Sequence, residues 1–202
     1  MGALLGISRA IDRLNTVIGK TVSWLIVVAV IVSAGNAVVR KVFNSSSNAW
    51  LELQWYLFGA VFLLCAGWTL LANEHIRIDV VNSLFPRRVR NWIDVVGHAL
   101  FLMPFCILIL IDSWPFFLRS YLQKEQSMNA GGLIVWPAKL LVVLGFALLL
   151  IQGVSELIKR IAIMRGERAD IQGGGHHEMA EAEAARLLEA AKAEGLVDTL
   201  KK

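Results

Sequence analysis

Four long apolar segments, separated by short polar stretches, dominate the sequence. They cover residues 21–39, 50–72, 92–111 and 133–151. Each is about 20 residues long, enough for a helix to cross the roughly 30 Å hydrocarbon core of a bilayer. Because a segment in lipid must satisfy its own backbone hydrogen bonds, each one is predicted to be a helix. The pattern therefore predicts an all-α integral membrane protein with four transmembrane helices in an up-down-up-down arrangement.

The stretches before and after these segments have patterns of their own. Residues 1–20 place apolar side chains at helical spacing opposite Arg9 and Arg13, which predicts an amphipathic helix lying along the membrane surface. Residues 161–202 contain a run of three glycines and then a stretch rich in Ala and Glu, which predicts a soluble helix after a flexible joint. The chain thus divides into an interfacial helix (1–20), a membrane domain (21–160) and a cytoplasmic tail (161–202).

Three further features indicate how the spans bend, pack and connect. Pro104 lies inside the third span and predicts a kink there. Gly59 and Gly67 lie near one face of the second span, which indicates close contact with another helix. Residues 112–132 include four aromatic side chains and are predicted to form an outer loop. Such a loop either rests on the membrane surface or packs against another protein.

The basic residues predict the orientation. Eleven Lys and Arg residues lie before the first span, between the second and third, or just after the fourth, whereas the two opposite loops together carry four. Basic residues concentrate on the cytoplasmic side of membrane proteins. We therefore expect both termini and the middle loop to be cytoplasmic, and the other two loops to face outward.

The composition excludes several classes of protein. Hydrophobic residues make up 56% and charged residues 18% of the 202 residues, unlike an ordinary soluble domain. The net charge of +4 comes with no basic stripe or aromatic platform, so no nucleic-acid partner is expected. Cys65 and Cys106 lie inside spans and outside any CxxC pair, which argues against a thiol-oxidising enzyme. His176 and His177 are adjacent in a glycine-rich linker and are not expected to bind a metal.

Two pairs of ionisable residues lie near the ends of the spans, where a charge in lipid is costly unless it is paired. Glu52 and Lys139, both toward the outer side, either pair with each other or extend separately to the interface. Asp94 and His98 are four residues apart on the third span and share one helix face. They form either a local hydrogen bond or part of a proton relay, although the third span offers no further ionisable residue before Asp112.

A polar cluster follows the second span. His75, Arg77 and Asp79 alternate with apolar residues, which favours a turn or an extended piece with one side packed down. This cluster is either a joint with a partner protein or an ordinary cytoplasmic cap.

The order of these features resembles the small membrane subunit of the tripartite ATP-independent periplasmic (TRAP) transporters. The resemblance depends on Trp50-Leu51-Glu52 at the start of the second span, on the cluster at residues 75–79, and on four spans with both ends inside. It covers roughly residues 21–160.

That resemblance implies a non-catalytic subunit of the bacterial inner membrane that depends on partners. A much larger permease subunit would hold the substrate and sodium sites, and a soluble periplasmic protein would deliver an organic acid. Our chain would act as a scaffold among membrane lipids, without a cofactor of its own, and its outer loops would help to receive the periplasmic protein. The candidates for interface or structural roles are Trp50, Glu52, His75, Arg77, Asp79, Asp94, His98 and Lys139.

The residues themselves also favour a helper over an independent enzyme or carrier. The chain has no Walker motif and no trail of charges through the membrane centre, so it is not predicted to be an ATPase or to transport alone. One alternative is a four-helix membrane cytochrome that passes electrons to quinone, which needs histidines at matching depth on facing helices. His75 and His98 differ in depth. The other alternative is an assembly subunit of a different membrane complex.

Overall fold

A computed structural model describes residues 2–44, 47–72 and 86–165, apart from the side chains of Arg87, Arg88 and Arg90. These residues form six α-helices: α1 (Gly2–Ser23), α2 (Leu25–Phe43), α3 (Asn48–Ala72), α4 (Arg87–Val96), α5 (Met103–Leu122) and α6 (Trp136–Met164). A π-helical turn, Gly97–Leu102, joins α4 to α5. Within the described residues the only β pairing is an isolated bridge between Gln126 and Ile134.

Four helical units are long and apolar enough to cross a membrane. They are Gly2–Phe43, Asn48–Ala72, Asn91–Leu122 and Trp136–Met164. The predicted all-α fold with four candidate spans is therefore confirmed. The first unit combines α1 with α2, which meet at Trp24. Residues 2–20 are thus helical, while their position along the membrane surface stays a prediction. The predicted soluble helix of the tail lies outside the described residues.

The third and fourth membrane helices are longer than predicted. Helix α5 continues to Leu122, so the prediction of a loop beginning at residue 112 is wrong. The connection, named the hairpin loop, consists of residues 123–135. Helix α6 continues to Met164, 13 residues past the predicted end at 151. Hydropathy marks the apolar part of a helix, and α6 continues through polar residues whose side chains find partners in neighbouring elements.

A π-helical turn, Gly97–Leu102, comes just before Pro104, where the sequence predicts a kink. The N–H of Met103 donates to the carbonyl of His98, five residues back, instead of four. Pro104 has no N–H, and its ring excludes the carbonyl four residues earlier from a normal α-helical position. A π-helical turn just before the proline accommodates both effects.

Helix α6 lies at the centre of the bundle. It packs against α3, α5 and α1, and α2 packs against α3. Glycines allow the closest approaches: a Cβ at Gly145 would lie 2.7 Å from Leu63 Cβ, and one at Gly67 would lie 3.2 Å from the carbonyl of Leu148. Of the two glycines predicted to mark a helix contact, Gly67 does so, whereas Gly59 faces open space.

The distribution of side chains is the reverse of that in a soluble protein. Phe62 and Phe101 are 81% and 73% exposed, whereas Gln152 and Lys159 are 0% and 2% exposed. Apolar side chains thus face outward, as lipid or a membrane partner requires, and a large share of the buried interior is polar. Those buried polar groups define the candidate site.

Candidate functional site

Polar side chains of α1 and α6 meet in a buried cluster, named the α1 clamp. Its members are Ser8, Asp12, Asn15, Gln152, Ser155, Glu156 and Lys159. The three on α1 recur every three or four residues, and the four on α6 occupy positions i, i+3, i+4 and i+7, so each set lies on one helix face. All members are buried except Asp12, which is partly exposed. Two matching polar stripes therefore bring the helices together.

Lys159 is the cation at the centre of the α1 clamp. Its Nζ lies 3.2 Å from Oδ2 of Asp12 and 2.5 Å from Oε1 of Glu156. One ammonium thus bridges a carboxylate on α1 and a carboxylate on its own helix. Ionised groups persist in such a buried position only when they are paired and hydrogen-bonded.

Gln152 completes the α1 clamp. Its Nε2 donates to Oδ1 of Asp12 at 2.9 Å and to Oε1 of Glu156 at 3.0 Å, and its Oε1 accepts from Asn15 Nδ2 at 2.9 Å. The Ser155 hydroxyl donates to Asp12 Oδ1 at 2.8 Å. The amide therefore uses both its donor and acceptor sides to tie α1 to α6.

A second polar contact joins α6 to α4. Arg160 Nη2 lies 3.1 Å from Asp94 Oδ2, and Arg160 Nη1 donates to Asn91 Oδ1 at 3.3 Å. His98 Nδ1 donates to the backbone carbonyl of Asp94 at 2.6 Å. A local hydrogen bond between Asp94 and His98 was one of the two predicted options; it involves the backbone of Asp94, while the carboxylate pairs with Arg160. In the sequence, Arg160 counts only as one of the basic residues that predict orientation, so its contact with Asp94 was not predicted.

At the other end of the bundle, named the hairpin end, α3 holds the hairpin loop. Oε1 of Glu52 accepts a short hydrogen bond from the Ser127 hydroxyl and one of 2.8 Å from Asn129 Nδ2. Oε2 accepts from the backbone N–H of Leu133 at 2.6 Å. A Cβ at Gly132 would lie 2.8 Å from Glu52 Oε1, so a glycine there allows the loop to approach the carboxylate. Glu52 is 4% exposed.

Two neighbours of Glu52 on α3 hold the same loop. Asn48 Nδ2 donates to the carbonyl of Ala130 at 2.9 Å, and the Tyr56 hydroxyl donates to the carbonyl of Ile134 at 3.1 Å. Positions 48, 52 and 56 are four residues apart and share one face of the helix. This stripe and its loop contacts are named the hairpin clamp.

Lys139 lies beside the hairpin clamp. Its partner is Glu125 and not Glu52, the partner that the sequence suggested. Its Nζ lies 2.5 Å from Oε2 of Glu125 and 3.9 Å above the centre of the Phe116 ring. The hydrogen bond from Lys139 lowers the pKa of Glu125 from its usual value of 4.5. A direct pair between Glu52 and Lys139 is therefore not the arrangement found. Trp50, at the start of α3, is 48% exposed.

Aromatic rings indicate where the hairpin end lies relative to the membrane surface. The rings of Tyr121 and Trp136 lie 5.4 Å apart and perpendicular, and Phe117 lies 6.4 Å from Trp136. Tyr and Trp concentrate where a membrane meets water. The pair therefore gives a reference for depth along α5 and α6.

The two clamps are separated by an apolar interior. Between Lys139 and Gln152, α6 has no ionisable side chain over roughly 20 Å. Within the described residues no group of three or more His, Cys, Asp or Glu side chains could hold a metal ion. His75, Arg77 and Asp79 lie outside the described residues. The arrangement is suited to fixing helices relative to one another, since the part of α6 between the two clamps carries no ionisable side chain.

Fold and clamps together define a helical membrane protein whose buried charges bind its own helices to one another. Residues 26–162 match the family described as "Tripartite ATP-independent periplasmic transporters, DctQ component". The chain therefore belongs to this family, the small permease component of TRAP transporters, which confirms the resemblance seen in the sequence. No match was found among curated proteins or among solved structures. The matched residues include Glu52, Asp94 and Arg160. The match begins after α1, so the residues that α1 contributes to the α1 clamp lie outside it.

Proposed function

We propose that this chain is the non-catalytic scaffold of a TRAP transporter that imports an organic acid into a bacterial cell. In this proposal a large permease subunit carries the substrate and the coupling cations, with sodium as the expected ion. A periplasmic binding protein delivers the acid. The scaffold lies in the inner membrane and holds the large subunit in place while parts of it move.

One observation carries the scaffold role: the polar groups form two clamps, one toward each end of a bundle with an apolar middle. A carrier must switch between two packings to expose its site on alternate sides. Here Lys159 joins α1 to α6, Arg160 joins α6 to α4, and Glu52 joins α3 to the hairpin loop. Breaking any of these contacts would leave a buried charge without a partner, which opposes such switching.

The proposed orientation places the hairpin end in the periplasm and the α1 end in the cytoplasm. It is supported by the asymmetry of basic residues, while the aromatic rings of Tyr121 and Trp136 indicate only that the hairpin end lies at an interface. In this orientation the exposed tip of the hairpin loop, with Met128 and Asn129, faces the side from which the binding protein would arrive.

Co-purification tests the proposed partnership. An affinity-tagged chain is expressed with the large permease gene that the proposal expects beside its own, and is purified in mild detergent. The proposal expects the two subunits to elute as one complex from a size-exclusion column. Elution of the tagged chain by itself, with the permease well expressed in the same membranes, contradicts the proposal.

The cytochrome alternative gains no support from the described residues. His98 is the only histidine among them, and its Nδ1 already donates to the Asp94 carbonyl. An absorbance spectrum of the purified chain tests this alternative, because bound haem gives a Soret band.

A further inference from the structure

Asp112 stands apart from the other acidic residues. The described part of the chain contains six Asp and Glu side chains, and five of them have a basic or hydrogen-bonding partner there: Asp12, Glu52, Asp94, Glu125 and Glu156. Asp112 has no such partner within that part of the chain, and its side chain is exposed. A charge-bearing group is thus presented outward from a membrane helix.

The depth of Asp112 makes this exposure unfavourable in lipid. Tyr121, whose ring lies 5.4 Å from that of Trp136, marks the hairpin end of α5. Asp112 precedes Tyr121 by nine residues, so it lies about 13 Å further toward the opposite end of the helix. A carboxylate at that depth is costly unless it meets a cation or a water-filled space.

Asp112 lines an open cleft between α5, α6 and the hairpin loop. The cleft has a volume of about 630 Å³, and its walls include Ser113, Phe116, Arg119 and Lys139. Lys139 already pairs with Glu125, so it does not neutralise Asp112. Arg119 lies seven residues further along the same face, about 10 Å nearer the mouth. The cleft therefore offers a carboxylate at its deep end and a guanidinium at its mouth.

We propose that Asp112 binds a basic side chain of the large permease subunit, on a membrane segment that enters this cleft. This inference rests on the proposed function. Charge complementarity selects the occupant: a Lys or Arg for Asp112, and an acidic group nearer the surface for Arg119, which has no acidic partner among the described residues. A lipid ammonium is a poorer fit, because lipid headgroups lie at the level of the aromatic pair, about 13 Å from Asp112 along the helix.

The first test compares Asp112→Asn with Asp112→Glu in the full chain, expressed with the large subunit. D112N is expected to reduce the co-purified large subunit at least about tenfold, since one member of a desolvated charge pair is lost. D112E keeps the charge and should retain most of the complex. The isolated D112N chain should melt at the wild-type temperature, because Asp112 contacts no charged partner within the described residues. Undiminished complex with D112N overturns the inference.

A second test identifies the occupant by a crosslink that forms, and so does not depend on a loss of co-purified large subunit. A photo-crosslinking phenylalanine analogue replaces Phe116, which is 53% exposed in the cleft, or Phe62, which is 81% exposed on α3. The inference expects the Phe116 position to crosslink to a segment of the large subunit that contains a Lys or Arg. Crosslinks from this position to lipid alone overturn it. If wild-type chain also fails to co-purify with the permease, the proposed function fails; if it co-purifies but D112N does too, only the inference fails.

Discussion

Lys159 is the residue on which the α1 clamp depends most. The residue is 2% exposed, and its ammonium lies between Asp12 and Glu156. If the cation is removed, the buried Glu156 carboxylate and the partly exposed Asp12 carboxylate are left close together without a counter-ion. Breaking a buried pair in this way typically costs about 3–5 kcal/mol.

We therefore expect Lys159→Met to lower the free energy of unfolding by about 3 kcal/mol or more. Reversible unfolding of the purified chain in mixed micelles measures the change. Arg13→Gln is the matched control: Arg13 is an exposed basic residue on α1, and its replacement should change stability by less than about 0.5 kcal/mol. Equal stability of K159M and wild type would show that the clamp does not hold the helices.

Glu125 gives the hairpin end a defined dependence on pH. Its pKa is lowered below 4.5 by the hydrogen bond from Lys139, so the folded state binds this proton more weakly than the unfolded state. The resulting stabilisation is present above pH 4.5 and is lost as the pH falls through the lowered pKa.

Melting curves of wild type and Glu125→Gln from pH 7 to pH 3 test this prediction. The wild type should melt at a higher temperature at pH 7, and the difference should shrink below pH 4.5 and then disappear. Glutamine does not titrate, and Glu52 is present in both proteins. The difference between their melting temperatures therefore reports the Glu125 carboxylate alone. A difference that stays constant down to pH 3, or that grows on acidification, would be inconsistent with the Lys139 pair.

Among the elements, the hairpin loop shows most clearly how one helix determines the shape of a connection. Its two arms are paired by hydrogen bonds from Ser127 N–H to the Leu133 carbonyl and from Val135 N–H to the Glu125 carbonyl, each 3.0 Å. At its turn Gly131 has a φ of 70°, a conformation that favours glycine. Glu52 then fixes the loop to α3.

Glu52→Ala is expected to loosen the loop while leaving the bundle folded. The change removes the acceptor of the Leu133 N–H, so that amide should exchange with deuterium faster, together with its neighbours in the loop. Hydrogen-exchange mass spectrometry measures the effect. Gln54→Ala, two residues along the same helix, is the control and should leave exchange in the loop unchanged. Wild-type protection in E52A would mean that the loop holds its shape without the carboxylate.

The sequence predicted the helices well but not their ends or their polar contacts. Four apolar segments identified four candidate spans because side chains that face lipid are apolar over the whole membrane thickness. The same reasoning ended α6 at residue 151, although the helix continues through Gln152, Ser155 and Lys159. Hydropathy cannot distinguish a polar side chain in solvent from one buried against a partner stripe.

A signal for both clamps was nevertheless present in the spacing. Asn48, Glu52 and Tyr56 recur every fourth residue on α3, and Ser8, Asp12 and Asn15 recur every third or fourth residue on α1. Polar stripes of this kind indicate a polar surface on the neighbouring element. The choice of partner depends on tertiary packing: Lys139 pairs with Glu125 rather than with Glu52, which is hydrogen-bonded to the loop.

At the scale of the whole molecule, the clamps and the outward apolar surface have complementary roles. The clamps fix the helices from within, so the outer faces can meet lipid and a partner without rearranging the bundle. Asp112 in its cleft supplies the one place where we expect a charge from the partner to be required. The proposed function therefore depends on rigidity in this chain and on movement in the large subunit.

Reconstituted uptake tests this account most directly. Liposomes receive the large permease subunit with this chain, the permease without it, or this chain by itself, and each is supplied with the binding protein, radiolabelled organic acid and an inward sodium gradient. The account predicts uptake with both membrane subunits and only background uptake when either is absent. Full uptake by the permease without this chain, or uptake by this chain alone, would contradict it.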